Sequence, residues 1–271
     1  MRLFLASWLV GLVALGVAAA ALLSPRTLAH SAAPAMPTPD HIVVVLMENH
    51  SFSQIIDSND APFIQGLAQR GALFTRSFGL VHPSQPNYFA LFSGSTHGVM
   101  DNDDHTLDGV TLADVLNGRH KTFIGYMEEG SPRKHNPWQS FRSSRNMERR
   151  FDDFPRSFAE LPTVSFVIPN EQNDMHDGSV ERGDRWLDQN LGRYAGWSRH
   201  NNSLLILTFD EDDGRSRNRI PTLFVGDGVV PGRYDQRIDH YSVLRTMLAL
   251  HGLPPLDQAV FAEPISGIWR K

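Results

Sequence analysis

Two short clusters of oxygen-bearing side chains, Glu48-Asn49 and Asp210-Glu211, each follow directly on an apolar run: Ile42 to Met47 (IVVVLM) and Leu204 to Phe209 (LLILTF). Runs this short and this apolar read as strands covered on both faces, as in a parallel sheet. Open α/β sheets bind ligands beyond the carboxyl ends of their strands, so clusters far apart in sequence are expected to meet at one rim. Three carboxylates crowded together repel unless a cation neutralises them. With the Asn49 carbonyl they form an all-oxygen set, which suits one divalent ion, Ca²⁺, Mg²⁺ or Mn²⁺, with Zn²⁺ a less natural occupant. An isolated Asp210-Glu211-Asp212-Asp213-Gly214 would more often be a solvated turn; its place at the end of a buried strand favours the metal reading.

Ser84 lies in His82-Pro83-Ser84-Gln85-Pro86-Asn87-Tyr88, where a turn over 83–87 leads into a helix that starts at Tyr88 to Phe92. A serine at a helix N-terminus faces unpaired N–H groups and the positive end of the dipole, an environment that favours a phosphate or a developing alkoxide. The plainer reading is an N-cap worth about 1 kcal/mol. No Gly-x-Ser-x-Gly elbow is present, so acyl hydrolysis of the usual α/β kind is not indicated. A serine activated by a cation fits better, because the cation lowers the hydroxyl pKa without a base. His135, in Arg133-Lys134-His135-Asn136-Pro137-Trp138, and His176, in Asn173-Asp174-Met175-His176-Asp177-Gly178, sit in loops, where catalytic side chains concentrate. Each alone is more often structural or exposed. His82, His97, His105 and His240 are weaker candidates; His240 opens the last helix and either caps it or leans toward the site.

The elements that must position these groups alternate. Strands are expected at Ile42–Met47, Ala72–Phe78, Thr122–Tyr126, Val164–Ile168, Leu204–Phe209 and Ile220–Val225. Helices are expected after Asp60-Ala61-Pro62 with an acidic cap and a stop at Gly71, over Thr111–Leu116, over Ser179–Ser198, and over His240–His251. Residues 130–160 are polar and irregular. This alternation predicts an α/β sandwich with a mostly parallel sheet.

The chain has 271 residues, 41% hydrophobic and 20% charged, with no cysteine, so disulfides and thiolate metal sites are excluded. Its formal charge moves from -5 to -7 when residues 1–30 are set aside, since they carry Arg2 and Arg26 and no acid. A mildly acidic protein has no electrostatic reason to bind nucleic acid. Met1-Arg2 followed by the apolar stretch Leu3 to Leu23 reads as an export signal over 1–30, with an uncleaved anchor the lesser alternative. Residues 31–40 are a Pro/Ala-rich leader, and 41–271 a single domain outside the cytoplasm, secreted or periplasmic.

The motifs MENHSF (47–52), HPSQPNY (82–88), RKHNPW (133–138), FVIPNEQNDMHDG (166–178), TFDEDDG (208–214) and HYSVLRT (240–246) together resemble the bacterial phosphoesterase family of acid phosphatases and phospholipases C, within the alkaline phosphatase-like superfamily. The likeness runs in the family's order, and six ordered motifs are far more specific than any one. It implies a three-layer α/β sandwich with a mostly parallel central sheet. It further implies that Glu48, Asn49, Asp210 and Glu211 hold one divalent metal ion, and that Ser84 is a nucleophile that becomes phosphoserine. Asn87 would hold a phosphate oxygen, and His135 and His176 would bind the phosphate and protonate the leaving group. The chain looks most like the secreted mycobacterial-type branch. That implies an exported, metal-dependent acid phosphatase acting on phosphate monoesters, with phosphatidylinositol 3-phosphate, a membrane-surface substrate, among the candidates. The alternatives are a phospholipase C-type phosphodiesterase, whose branch typically carries threonine at the nucleophile, and a non-catalytic exported metal- or phosphate-binding protein. Tyr88 stands where superfamily sulfatases carry arginine, His50 stands where arginine is common in the family, and the branch's cysteine pair is missing.

Overall fold

The structure is a computed structural model and describes residues 36–270. The expected export segment and most of the leader lie outside them. The chain forms β1 (His41–Met47), α1 (Phe52–Ile56), α2 (Pro62–Arg70), β2 (Ala72–Phe78), α3 (Ser84–Ser93) and α4 (Leu112–Asn117). Then come β3 (Phe123–Met127), β4 (Glu148–Arg150), β5 (Val164–Ile168), α5 (Val180–Ser198), β6 (Ser203–Phe209), β7 (Arg219–Gly226), β8 (Gly232–Asp239) and α6 (His240–Leu250). The eight strands make one sheet in the order β4-β3-β5-β1-β6-β7-β2-β8, and only β7 runs antiparallel to its neighbours. The carboxyl ends of the other seven strands therefore share one edge.

β1 shows why the strands are apolar throughout. Ile42, Val44 and Leu46 pack into one core with residues of α3, α4 and α6, while Val43, Val45 and Met47 pack into a second with residues of α1, α2 and α5. With side chains alternating across the pleat, both sets must be apolar when helices cover both faces. The result is the expected three-layer sandwich. Among the described residues, no helix is long and apolar enough to cross a membrane.

Three features depart from the sequence expectations. Helix α3 begins at Ser84, not Tyr88, so the expected turn residues 84–87 form its first turn. Strand β8 lies outside the expected set, because Gly-Arg-Tyr-Asp-Gln-Arg-Ile-Asp has no apolar period; as an edge strand it buries little, and the parallel register with β2 defines it. The segment 130–160 contains 3-10 turns at Arg133–His135 and Pro137–Ser140 and the short β4, which extends the sheet beside β3.

The acidic cap of α2 also differs. The N-cap is Ala61, with no side-chain cap. The acid that serves the helix start comes from α5: Asp184 Oδ2 accepts from the Phe63 amide and Oδ1 from the Ile64 amide, both at 2.9 Å. Asp184 thus joins α2 to α5 under the second core. Asp184→Ala strands both amides, at a cost of about 1–3 kcal/mol in chemical denaturation. Asp60→Ala is expected to stay within about 0.5 kcal/mol of the parent protein.

Candidate active site

Glu48 follows the last residue of β1 and Asp210 the last residue of β6, and the two strands pair in parallel from His41↔Ser203 to Met47↔Phe209. Both carboxylates are therefore delivered side by side at the shared rim, and both are fully buried. The Asn49 amide N–H donates to Asp210 Oδ1 at 3.2 Å, and Asn49 itself sits at φ 50°, a left-handed turn that asparagine tolerates. Ser84, first residue of α3, has its hydroxyl 3.2 Å from both Glu48 Oε2 and Glu211 Oε1. It does not cap its helix, since Pro83 occupies that position. Four of the expected site residues, Glu48, Asn49, Asp210 and Glu211, are thus gathered around the fifth, Ser84.

Asn87, one turn along α3, buckles the segment that enters the helix. Its Oδ1 accepts from the Leu80 and Val81 amides at 2.9 and 3.2 Å, and its Nδ2 donates to the Val81 carbonyl at 2.8 Å. The same Nδ2 lies 3.5 Å from Glu211 Oε2, so its open side faces the site.

The two histidines occupy different environments. His135 is fully buried, stacked on Tyr88 at 5.2 Å between ring centres, with Nε2 3.3 Å from Glu48 Oε1 and Nδ1 3.3 Å from Asp174 Oδ2. Those approaches lack hydrogen-bond geometry, which leaves both ring nitrogens unpartnered. Burial, and then the Lys134 ammonium, hold its pKa well below the usual imidazole value. His176 is about a quarter exposed; its Nδ1 pairs with Asp177 Oδ1 at 2.8 Å and its Nε2 lies 3.5 Å from Lys134 Nζ. Lys134 is also paired with Glu171 at 2.9 Å. Among the described residues it is the only lysine or arginine with a polar contact to one of the expected site residues. His240 leans in rather than capping: Asp239 caps α6, and His240 Nε2 lies 2.6 Å from the Asp210 carbonyl, to which it donates.

Tyr88 and Asp174 carry no role in the sequence reading, and His82 is only a weaker candidate there. Tyr88 donates its hydroxyl to Glu48 Oε1. His82 bridges Glu211 Oε2 at 2.9 Å and Asp212 Oδ1 at 3.3 Å. Asp174 faces His135 from the loop after β5. That loop is held by Glu128, which accepts from Asn173 Nδ2, Trp186 Nε1 and the Asn170 amide at 2.8 to 3.0 Å. At its tip Met175 takes φ 82°, strained for an L residue. Gly183 of α5 lets the helix approach this tip, since any Cβ there would meet the Met175 side chain and the Asn173 carbonyl. Asp174 was within reach of sequence reasoning, as it stands two residues before His176 in a loop after a buried strand. Tyr88 and Lys134 lacked any such signal.

Residues 54–254 match the model of the Phosphoesterase family. The chain belongs to the Phosphoesterase family. It is accordingly a phosphoric ester hydrolase, not a non-catalytic binding protein. It is 44% identical over 279 residues to the phosphatidylinositol-3-phosphatase of Mycobacterium tuberculosis, covering 95% of this chain and 93% of that protein. It is 32% identical to the phosphate-repressible acid phosphatase of Penicillium chrysogenum, covering 81% of this chain and 60% of that longer protein. Among solved structures, an alkaline phosphatase superfamily protein from Vibrio parahaemolyticus aligns with a TM-score of 0.63 over 85% of this chain and 71% of its own, at 14% identity. At that identity the likeness speaks for the fold alone.

The rim of this phosphoesterase gathers four buried carboxyl groups. Burial raises all four carboxylates: Glu48 well above its usual range, Glu211 to about 8, Asp174 to about 7 and Asp210 to about 6. Mutual repulsion adds to burial at Glu48 and Glu211. The donor set fits a cation. Glu48, His135 and Asp174 each offer a ligand atom, all within 4.8 Å of one another. Asp174 Oδ2 and Asp210 Oδ2 are buried with no hydrogen-bond partner. The Asn49 amide faces Glu48 and Glu211 with its oxygen, which a cation between them would satisfy; turned over, its nitrogen would donate to both at 3.3 Å. Glu48 belongs both to this group and to the expected set of Asn49, Asp210 and Glu211. Asp212 is instead a turn residue, accepting from the Gly214, Ser216 and Asn218 amides at 2.7 to 2.9 Å.

Carboxylates whose folded pKa is raised bind protons in the folded state that the unfolded chain has already released, so they destabilise the fold as pH rises. Metal-free protein is therefore expected to lose thermal stability as pH rises from about 6.5 to about 8, where the histidines held below their usual value are already largely neutral in both states and the raised carboxyl groups still titrate. A divalent cation at pH 8 should restore the loss. Differential scanning fluorimetry of chelator-treated protein across this range checks it; a Tm that is flat, or that the cation leaves unmoved, contradicts it.

Proposed function

We propose that the protein is an exported, metal-dependent acid phosphatase that hydrolyses phosphate monoesters through a phosphoserine at Ser84. The observation that carries this reading is the placement of Ser84 Oγ: at the N-terminus of a ten-residue helix, 3.2 Å from each of two buried carboxyl groups, Glu48 and Glu211. Export rests on the basic and apolar N-terminal segment, and phosphatidylinositol 3-phosphate enters as a candidate substrate through the named activity of the mycobacterial relative.

Glu48, either with His135 and Asp174 or with Asn49, Asp210 and Glu211, would hold the ion. Bound there, it would neutralise charge on the phosphoryl group and favour the Ser84 alkoxide. The remaining steps belong to the chain. Glu48 and Glu211 orient the Ser84 hydroxyl and accept its hydrogen bond. The N-terminal end of α3 turns its positive dipole toward the anionic phosphate. Asn87 Nδ2 lies on the side from which a phosphoryl oxygen would be held. Ser84 Oγ gives its proton to the Glu48 or Glu211 carboxylate and bonds to phosphorus as the bond to the leaving oxygen breaks, and the leaving alkoxide takes a proton from His176; water, giving its proton to that histidine, then attacks phosphorus and breaks the bond to Ser84 Oγ, which regains its proton as phosphate leaves. The transition state is loose, so positioning and charge neutralisation do most of the catalysis.

In this reading the two histidines have different tasks. His135, buried and kept neutral between two carboxylates, suits holding the cluster together. His176, partly exposed and oriented by Asp177, suits the contact with the leaving group. Lys134, beside His176, brings positive charge to a mouth that is otherwise lined by carboxylates and would repel a phosphate dianion.

Ser84→Ala is expected to lower kcat for p-nitrophenyl phosphate by about a thousandfold or more while the folded Tm persists; near-normal turnover would rule out the serine mechanism. Lys134→Gln should raise KM about tenfold, the scale of one lost charge-assisted hydrogen bond, with a smaller effect on kcat, and Lys134→Arg should recover part of it. Steady-state kinetics with inorganic phosphate as product inhibitor measures both, since weakened inhibition must accompany the raised KM.

A further inference from the structure

The free edge of the sheet carries a feature that the hydrolytic site does not use. Arg233, Asp235 and Arg237 alternate along β8, so they share one face of that edge strand, and all three are exposed. The β2–β8 register sets Arg76, also exposed, beside Arg237. The guanidinium of Arg237 lies 5.0 Å from the centre of the Phe78 ring; Phe78 pairs with Arg219 on β7. Arg219 lies 4.1 Å over the Phe52 ring, and Arg233 lies 5.8 Å from the same ring. The residues therefore form a continuous ladder, Arg233, Phe52, Arg219, Phe78 and Arg237, with Arg76 beside its end. Phe78 closes β2 and Arg219 opens the antiparallel β7, so the ladder reaches the rim that carries Ser84.

The ladder is short of counter-charge. Among the described residues Arg76, Arg219 and Arg233 have no ion-pair partner, and Arg237 has only Asp239 at 3.7 Å. Asp235 and Asp239 are the acids on these strands, against four guanidinium groups, in a chain whose net charge is -5. Like charges brought together repel, so the arrangement costs stability unless an anion relieves it. Charged residues on an edge strand also deter edge-to-edge pairing, but that role needs neither one sign nor stacked rings. Rings beneath a guanidinium fix its plane and leave its N–H fork free for phosphate oxygens; half-buried Arg219 donates its Nε–H to the Thr75 carbonyl at 2.8 Å, so the forks on offer are those of the exposed Arg233 and Arg237. Arg233 and Arg237 border two separate open grooves on the strand surface instead of converging on one cavity, so the complementary partner is an extended anionic surface that spans them.

We propose that this arginine–phenylalanine ladder is a docking surface for an anionic phospholipid bilayer, seating the enzyme with its Ser84 rim beside the lipid headgroups. The inference does not rest on the chemistry at Ser84 and is tested without turnover. Protein without residues 1–30, the expected export segment, is sedimented with vesicles of phosphatidylcholine alone and of phosphatidylcholine with about one-third phosphatidylserine, at low and at physiological salt. Binding is expected only to the anionic vesicles, to weaken with salt, and to persist in millimolar inorganic phosphate. The triple variant Arg76→Gln, Arg233→Gln, Arg237→Gln should bind at least about tenfold more weakly. Its Tm reports that it is folded; should it fail to fold, the single Arg233→Gln change gives the same readout. Three results would each overturn the proposal. One is no preference for anionic vesicles, another is undiminished binding by the folded variant, and the third is displacement by free phosphate, which would mark a small-anion site instead.

Discussion

The structure is organised around one costly placement: the Glu48 carboxylate, wholly buried at the end of the central strand β1. An unpaired carboxylate in such a place gives up its charge, and burial beside Asp210, Asp174 and Glu211 pushes the Glu48 pKa well above its usual range, while the Tyr88 hydroxyl opposes that shift. Tyr88 and Ser84 donate to its two oxygens from successive turns of α3, and His135 packs against it from the 3-10 turn after β3. Asp210 and Glu211 arrive beside it from β6, which adds repulsion. Every element that touches Glu48 is thereby fixed relative to Ser84.

The sheet makes this placement achievable. Seven strands end at one edge, so loops from distant parts of the chain converge without long excursions. The helices complete the arrangement. Helix α3 packs nearly all its side chains into the core and so holds its first residue rigidly at the rim, while α5 and Glu128 brace the loop that presents Asp174 and His176. Rigid support of this kind suits a reaction in which positioning and electrostatics carry the catalysis. Charge is distributed unevenly over the same rim: carboxylates gather where Ser84 lies, and arginines gather along the β2–β8 edge.

Much of this was legible in the chain. The strands β1 and β6 are apolar almost throughout, and β5 nearly so, which leaves no amphipathic ambiguity and lets their ends be located. Residues placed immediately after such a strand, Glu48-Asn49 or Asp210-Glu211, can then be assigned to the rim. Ser84 was legible as a helix-start residue, although the helix begins earlier than expected because Pro83 and Pro86 mask its first turn. Strand β8 was not legible, since a charged edge strand has no burial pattern to detect. The expected acidic cap at Asp60 differs for a related reason: local capping signals cannot reveal an acid reaching across from another helix, as Asp184 does.

The sequence by itself determined the order of buried strands and covering helices and the chemical types available at the strand ends. Periodicity and composition, which are local, are enough for both. The tertiary structure alone decided which groups share a site. That His135 stands against Glu48 and Asp174, that Tyr88 reaches Glu48, and that Lys134 lies beside His176 depend on loop paths and strand register. It also decided that arginines from β2, β7 and β8 line up over Phe52 and Phe78. A carboxylate's environment, and hence whether it is a solvated turn residue like Asp213 or a buried group like Asp210, is set by the groups packed around it, and no local pattern encodes that.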